Sequence, residues 1–530
     1  MRDFLSSIWT KQPARPEIEP EHHPALVGNI KADVVVVGAG ITGLTAALRL
    51  AEAGRSVCVL DRGPIAGGDS SRTSGHLTEV IDNRYYELVS SFGLEEAREV
   101  ATSTRSAIEQ IAGWTEHYGI ECEFERLPGY LFAESGAQAY EIARELKEAR
   151  RAGLQVRWAK RPPLPFPVAG SIEFANQAQL HPTLYLRGLT QAILKLGGRI
   201  HPFTAVTEFL DAEPGRGRLA LATGEGFEVQ ADEMVVATHS VVSHRFQLQA
   251  KIAAYRTYML AAKVEKPEKT PGAALFWDVA KPYHYIRRFS ASSPDEILIG
   301  GEDHKTGAGQ NERESLDQLR SYARDRFGPI QILAEWSGQI YHSHDGLPLI
   351  GLPRGSKHIW VATGFSGTGL TYGTLAGTLI ADGILKKHSD AKTKLFDPKR
   401  IKPSRAYAKK FIRENFDFPK FLLRDRLKPS KSLSTEGIER GEGKLIQMEG
   451  SDERVAVFRD ESGALHPVSS TCTHLGCTVH FNSAERTWDC PCHGSRFSTD
   501  GDVLNGPART GLERREVNEV LRNDKKKSAA

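Results

Sequence analysis

Between Lys31 and Asp61 the chain reads KADVVVVGAGITGLTAALRLAEAGRSVCVLD, and few folds accommodate that order of residues. Asp33 opens an apolar β-branched run, Val34 to Val37, that reads as a strand. Gly38-Ala39-Gly40-Ile41-Thr42-Gly43 follows at once, then an alanine- and leucine-rich amphipathic stretch, then Ser56 to Leu60 and Asp61. This is strand, glycine turn, helix, strand, acid, the layout of a dinucleotide-binding unit. In it Gly38 permits the tight turn, Gly40 lets backbone approach a pyrophosphate, and Gly43 lets helix and strand pack closely. The helix N-terminus presents N–H groups to phosphate, and Asp61 stands where a carboxylate takes ribose hydroxyls. A lone glycine fingerprint is weak; this one has its whole structural context. It does not by itself choose between FAD and NAD.

The other end of the chain carries Cys472-Thr473-His474-Leu475-Gly476-Cys477 and Cys490-Pro491-Cys492-His493-Gly494-Ser495. Two thiolates and two imidazoles, ordered C-x-H then C-x-x-H, suit a [2Fe–2S] centre with cysteines on one iron and histidines on the other. A structural zinc site is the alternative, but zinc usually takes C-x2-C or H-x3-H pairs and has no need of a spare cysteine in each loop. On these residues the sequence resembles the Rieske iron–sulfur proteins. The resemblance implies that Cys472 and Cys490 hold one iron, that His474 and His493 hold the other, and that Cys477 and Cys492 form a disulfide between the loops. Gly506-Pro507-Ala508 falls where Rieske domains have a proline loop over the cluster. Phe497 stands two residues after the serine, where the highest-potential respiratory members have tyrosine. Loss of that hydroxyl predicts a potential in the middle of the Rieske range, roughly −150 to +300 mV. A Rieske centre moves one electron at a time and makes no bond to substrate, so whatever feeds it lies elsewhere in the chain.

Further segments select FAD. Gly67 to Gly75 (GGDSSRTSG) follows the acid; Gln179-Leu180-His181-Pro182 precedes a helical stretch; Ala231 to Thr238 is an apolar strand ending in a small-residue turn. His344 to Gly351 is followed by Trp360-Val361-Ala362-Thr363-Gly364-Phe365-Ser366-Gly367-Thr368-Gly369-Leu370. In this order the pieces resemble the FAD-dependent oxidases of the D-amino-acid oxidase and glycine oxidase class over most of residues 32–385. With the C-terminal motif, the chain is similar to a bacterial group fusing such a flavoprotein to a Rieske domain. The resemblance implies FAD contacts from Gly38, Gly40, Gly43, Asp61, Arg62, Ser71, Arg72, Thr73, His76, Val206 and Thr238. It also implies contacts from a second glycine cluster, Gly364, Gly367, Gly369, Leu370 and Thr371, whose N–H groups would face the pyrimidine end of the flavin. Each glycine taken alone reads equally as an ordinary turn. His76 is a candidate for contact with the ring or covalent attachment, although the position covalently linked in some relatives aligns nearer Arg72.

Substrate contacts are expected from Tyr255-Arg256-Thr257-Tyr258 and Tyr283-His284-Tyr285-Ile286-Arg287-Arg288, which mix aromatics with guanidinium. Arg256, Tyr258, Tyr285 and Arg287 are the pocket candidates, an arginine gripping a carboxylate bidentately. The alternative is strand residues alternating between core and water. Several oxidases of this class set a lysine over the flavin to activate O2; the aligned segment Ile297 to Gly301 has none.

At 530 residues the chain exceeds one compact domain. Net charge is +3, too small for a field that gathers nucleic acid. Of six cysteines four lie in the two C-terminal loops, and Cys58 and Cys122 read as packed thiols, a usage that fits a cytoplasmic protein with one protected disulfide. No apolar run is long enough to span a bilayer, and the first residues lack the apolar core of a signal peptide. The expected organisation is a leader (1–31), a flavoprotein region (32–385), a basic linker (386–435), a Rieske domain (436–524) and a tail (525–530). The linker reads as a solvated connector or as a basic face for an acidic redox partner or lipid headgroups. The fold class expected is α/β: a Rossmann-type FAD-binding domain interleaved with a mixed-sheet substrate domain, plus a small antiparallel β Rieske domain. The function expected is oxidation of an amine or amino-acid C–N bond at FAD, with electrons passing to the cluster and on to an external one-electron acceptor. Competing readings are an O2-dependent oxidase with a structural Rieske domain, a non-catalytic electron carrier or redox sensor, a Rieske oxygenase and an NAD(P)H-fed reductase. The oxygenase would need an extra iron triad and the reductase a second fingerprint, and the sequence offers neither.

Overall fold

The computed structural model describes residues 7–11, 23–213, 217–222, 226–241, 248–308, 312–387, 390–401, 412, 434–448, 453–518 and 520–521. Most of the basic linker and all of the tail lie outside the described residues. The chain divides into two compact units. The first comprises Met1–His239, Thr257–Asp303 and Gln318–Lys402; the second comprises Ser240–Arg256, His304–Asp317 and Pro403–Ala530.

The first unit is α/β and interleaved. Its nucleotide sheet has eight strands, with the main path Leu349–Gly351, Ile359–Thr363, Glu228–Val236, Ile30–Val37, Val57–Leu60 and Arg199–His201. Val34 to Val37 pair in parallel with Val57 to Leu60 on one side and with Glu233 to Val236 on the other. Parallel strands covered on both faces need continuous apolar runs, which is why this segment does not alternate. The helix Ile41–Glu52 is buried over most of its circumference because a second helix, Gly369–Ile384, crosses it. Gly373 and Gly377 allow that crossing: a Cβ on either would come within 2.6 Å of Ile41 or Thr45 side-chain carbon. The second sheet has nine strands and is mixed. Its central order is Glu296–Lys305, His284–Arg288, Leu275–Asp278, Glu125–Ala133 and Gly170–Gln179, with His76–Leu77 at one edge. That edge strand carries the chain straight from the nucleotide domain into the second sheet.

Within the leader, Ile8–Lys11 forms one helical turn that packs into the first unit. Trp9 is buried, stacks on Phe289 at 5.0 Å and donates its indole N–H to the Thr73 carbonyl at 2.7 Å.

In the second unit the C-terminal residues form two small antiparallel sheets. Glu442–Gln447, Arg454–Arg459 and Leu465–Ser469 make one; His480–Asn482, Thr487–Asp489, Arg496–Phe497 and Val503–Asn505 make the other. Phe458, Val468, Val479, Trp488, Phe497, Ala508 and Leu512 form their shared core together with Cys472, Cys477 and Cys490.

Candidate functional site

The turn after Val37 is shaped by its glycines. Gly38 has φ +111°, and a Cβ there would meet the Ala237 carbonyl at 2.4 Å. A Cβ on Gly43 would lie 1.9 Å from the Gly38 carbonyl oxygen, a distance no side chain tolerates. Gly40 is different: a Cβ there would meet only the Ser70 side chain, with its hydroxyl at 3.0 Å. Gly40 is also the N-cap of the following helix, gives no side-chain cap, and no acidic residue stands in the first turn. The cradle therefore suits an anion. Asp61 accepts from the Ala39 N–H at 2.7 Å and the Gly63 N–H at 2.8 Å, and burial raises its carboxyl above the usual range. Arg62 beside it is lowered by burial. The donors, the open glycine and the acid fit the pyrophosphate and ribose of a dinucleotide.

The loop after this unit is fastened from several sides. Asp69 pairs with His239 at 3.1 Å and accepts the Gln339 N–H at 2.8 Å. Ser71 is buried, its hydroxyl on the Gly68 carbonyl. The Arg72 carbonyl accepts from Trp336, and the Thr73 carbonyl from Trp9. His76 bonds Ser74 at 2.6 Å through Nδ1; its Nε2 is buried with no hydrogen-bond partner, and burial with the nearby Arg287 lowers the ring to about 3. The second glycine cluster returns to the same place. Thr371, in the first turn of the helix beginning at Gly369, accepts from the Thr78 N–H at 3.2 Å, and Leu370 and Thr371 are buried. Gly364 has φ +78° and Gly367 donates its N–H to Asp82 at 2.6 Å. Val206 opens the strand Val206–Glu213, and Thr238 follows the strand ending at Val236.

The substrate-pocket candidates scatter. Tyr285 borders the flavin-side loop, its ring 5.9 Å from that of His76. Arg287 is fully buried and committed to main chain: it donates to the carbonyls of Phe289, Gly75 and Leu180 and lies over the Trp9 ring at 5.4 Å. Burial lowers it to about 9. Arg256 belongs to the second unit, where its guanidinium meets Glu485 at 2.6 Å with both side chains at most 2% exposed. Each guanidinium already has partners within the protein, Arg256 a carboxylate and Arg287 three carbonyls, as a buried arginine requires. Tyr258 is wholly buried.

Sequence reasoning passed over an acidic and aromatic group at the glycine cluster. Asp82 and the Tyr283 hydroxyl both crowd Gly367, at 3.1 and 2.7 Å from where its Cβ would be. Asp303 shares their surroundings. The signal available was the acidic pair Glu302-Asp303 directly after the apolar run Ile297 to Gly301, within the strand Glu296–Lys305.

The second unit brings both cysteine loops together. Cys477 and Cys492 form a disulfide, as the resemblance implied. The sulfurs of Cys477, Cys490 and Cys492 lie within 4.8 Å of one another, and the disulfide uses two of them, leaving Cys490 as donor. Cys472 and Cys490 are buried and in hydrogen-bonding contact, which lowers Cys472 and raises Cys490. Backbone N–H groups of His474 and Leu475 and the Ser495 hydroxyl also favour the Cys472 thiolate. The rings of His474 and His493 stand 4.9 Å apart, edge to face. Two thiols and two imidazoles converging beside a disulfide form a donor set that fits a [2Fe–2S] cluster. Ser495 also accepts the Ala508 N–H at 3.0 Å, fixing the proline loop. Beneath Cys490 lies a buried charge group: Arg496 bonds Asp489 at 3.0 Å and Glu485 at 2.8 Å, and Glu485 also takes Arg256. Cys58 and Cys122 are buried in the first unit, which pushes their thiols up to about 12 and about 11.

These two constructions define a flavoprotein with an iron–sulfur centre. The chain belongs to the FAD dependent oxidoreductase family, whose sequence profile matches residues 33–383, and carries a Rieske [2Fe-2S] domain over residues 431–516. FAD and a [2Fe–2S] cluster are its cofactors. It is 33% identical over 489 residues to YhfW of Bacillus subtilis, a protein named for a Rieske 2Fe-2S centre, covering 92% of this chain and 93% of that one. It is 27% identical to the gamma-glutamylputrescine oxidoreductase of Escherichia coli, over 67% of this chain and 84% of that one. In fold it resembles the glycine oxidase of Geobacillus kaustophilus, with TM-score 0.59, 19% identity and coverage of 70% of this chain and 100% of that one. Among the described residues no helix is long and apolar enough to cross a membrane.

Proposed function

We propose that the protein oxidises the C–N bond of a small amine or amino acid at FAD and sends the electrons through its [2Fe–2S] cluster to an external one-electron acceptor. The observation that carries this reading is one chain holding both a complete dinucleotide cradle and a complete two-cysteine, two-histidine donor set. Removal of two electrons and two protons from H–C–N–H leaves C=N, which water hydrolyses to a carbonyl compound and a free amine. FAD, when bound, takes up the electron pair and the cluster passes electrons on singly.

The residues position rather than react. Gly38, Gly40 and the helix beginning at Ile41 would hold the pyrophosphate, Asp61 the ribose, and the turn from Gly364 to Gly369 the flavin end. Cys472, His474, Cys490 and His493 would hold the cluster. The amine reacts as the free base, so a substrate bound as an ammonium gives up one proton before the C–N bond is oxidised, and the protein's task is then to set the carbon against the flavin. The gamma-glutamylputrescine oxidoreductase of Escherichia coli is named for an amine, which supports the C–N assignment. The acceptor is expected to be a redox protein or small oxidant in solution.

Anaerobic photoreduction tests the relay. With the flavin of the intact holoprotein half-reduced, the Rieske electron-paramagnetic-resonance signal should grow as flavin absorbance recovers. A flavin that stays reduced beside an oxidised cluster, still reducible by dithionite, would refute it and leave direct reduction of O2 as the function.

A further inference from the structure

We propose that the pocket beside the second glycine cluster recognises a cation, so that the substrate is an alkylammonium compound with no carboxylate on the reacting carbon. This rests on the function proposed above and narrows its substrate class.

Four observations converge within the first unit. Asp82 accepts the Gly367 N–H at 2.6 Å, and Tyr283 places its hydroxyl against the same glycine, so both groups border the turn assigned to the flavin. The ring of Tyr283 is 5.9 Å from that of Tyr285, which is 5.9 Å from His76, which is 5.5 Å from Trp277. These rings form a continuous aromatic run beginning at Tyr283. Asp303 shares the electrostatic surroundings of Asp82, Tyr283 and Tyr285, and both its carboxylate oxygens are buried with no hydrogen-bond partner. The Thr257 hydroxyl lies near enough to favour the charged carboxylate, without hydrogen-bonding geometry to either oxygen. Its hydrogen-bond partner is the Tyr285 hydroxyl at 3.1 Å. Finally, the neighbouring cations are committed elsewhere. His284 is clamped between Asp278 at 2.8 Å and Glu302 at 2.9 Å, Arg84 donates to the Asp278 carbonyl, and Arg287 serves three carbonyls.

A buried carboxylate without donors is costly unless a charge comes to it. Burial, with Asp82 and Glu302 adding repulsion, raises the Asp303 carboxyl to about 7. A bound ammonium would relieve both the burial and the repulsion, and its N–H groups would satisfy oxygens that no hydrogen bond reaches. Tyrosine and tryptophan rings add cation–π attraction to such a guest. A carboxylate guest would meet the opposite: two acids, with the Arg287 guanidinium already donating to three carbonyls.

The test is calorimetric titration of the oxidised holoprotein, which requires no turnover. The probes are n-butylammonium and the redox-inert tetramethylammonium, compared with butanoate. The cations should bind saturably and butanoate should not. Asp303→Asn should weaken n-butylammonium about 10- to 100-fold, the value of a charge-assisted hydrogen bond, with flavin content unchanged. Should Asp303→Asn fail to retain flavin, the wild-type preference between n-butylammonium and butanoate decides alone. Preference for butanoate, or unchanged cation affinity in a flavin-replete Asp303→Asn, overturns the proposal. The two readings fail differently. Amines that bind but never bleach the flavin sink the oxidation while cation recognition stands. Amino acids that bleach it while the cations do not bind sink cation recognition alone.

Discussion

Replacing Glu485 with glutamine tests the reading of the buried charges. Arg256, Arg496, Glu485 and Asp489 carry two positive and two negative charges on side chains no more than 2% exposed, so the group is neutral as built. Glu485 Oε2 alone meets both guanidiniums, at 2.6 and 2.8 Å. Glu485→Gln leaves one net positive charge in the interior. A surface pair lost this way costs about 0–1 kcal/mol, whereas breaking a buried pair costs about 3–5 kcal/mol. At roughly 1.4 kcal/mol per tenfold, the folded-to-unfolded ratio should fall by on the order of 100- to 1000-fold or more. With a guanidinium slope of roughly 2–6 kcal/mol per molar, the midpoint should drop by about 1 M. The assay is guanidinium unfolding followed through the cluster's visible circular dichroism, which reports on the unit containing these residues. Adding Arg256→Met to Glu485→Gln removes the surplus charge and leaves Arg496 on Asp489, so the double variant should recover part of the loss. A midpoint unchanged at equal slope, or a double variant no better than the sum of its single variants, would refute the argument.

The nucleotide cradle and the second unit yield three more expectations. Gly43→Ala should abolish FAD retention, because its Cβ would stand 1.9 Å from the Gly38 carbonyl, while Gly28→Ala, with nothing within 4 Å, should keep it; the ratio of flavin to protein after purification decides. Burial opposes a charged His284, but the carboxylates of Asp278 and Glu302 outweigh it and raise the ring to about 9. A folded value above the unfolded one makes this stabilisation full below about pH 6.5 and lost as pH rises through about 9, worth about 3 kcal/mol at most. The stability gap between wild type and His284→Gln should therefore be larger at pH 6 than at pH 10, and a gap independent of pH would count against it. Phe497 is wholly buried in one core with Cys472 and Cys490, so Phe497→Tyr should add a hydroxyl near the cluster and raise its potential in a redox titration, with an unchanged or lower value the contrary result.

Local chemistry was legible in the sequence, and long-range pairing was not. Gly38, Gly40, Gly43 and Asp61 act within about 25 residues of one another, and their roles follow from backbone geometry that the glycines dictate. The two cysteine loops are equally local, each carrying its donors on consecutive turns. Gly373 and Gly377 went unremarked because an interior helical glycine has meaning only beside its partner, and that partner is the helix from Ile41, some 330 residues earlier. Trp9 was hidden for the same reason: a tryptophan in a leader rich in proline and acid gives no sign of reaching Thr73 and Phe289.

The arginines show where such reasoning turns on charge rather than on spacing. Arg256 and Arg287 sit among aromatics at strand-like spacing, a pattern equally suited to gripping a carboxylate and to filling a core. What separates the two is the location of the counter-charge, and that is non-local: Glu485 lies 229 positions beyond Arg256, and the carbonyls of Gly75 and Leu180 lie 212 and 107 positions before Arg287. Once those partners are known, the proposed pocket is acidic rather than basic. The guanidiniums expected to make it basic are engaged with Glu485 and with main-chain carbonyls, while Asp82, which no motif marked, stands at the glycine turn with Asp303 in the same electrostatic surroundings. A buried cation is therefore evidence for a site only after its counter-charge has been sought within the chain, and the group left without hydrogen bonds, here the Asp303 carboxylate, is where the proposed ligand's charge would bind.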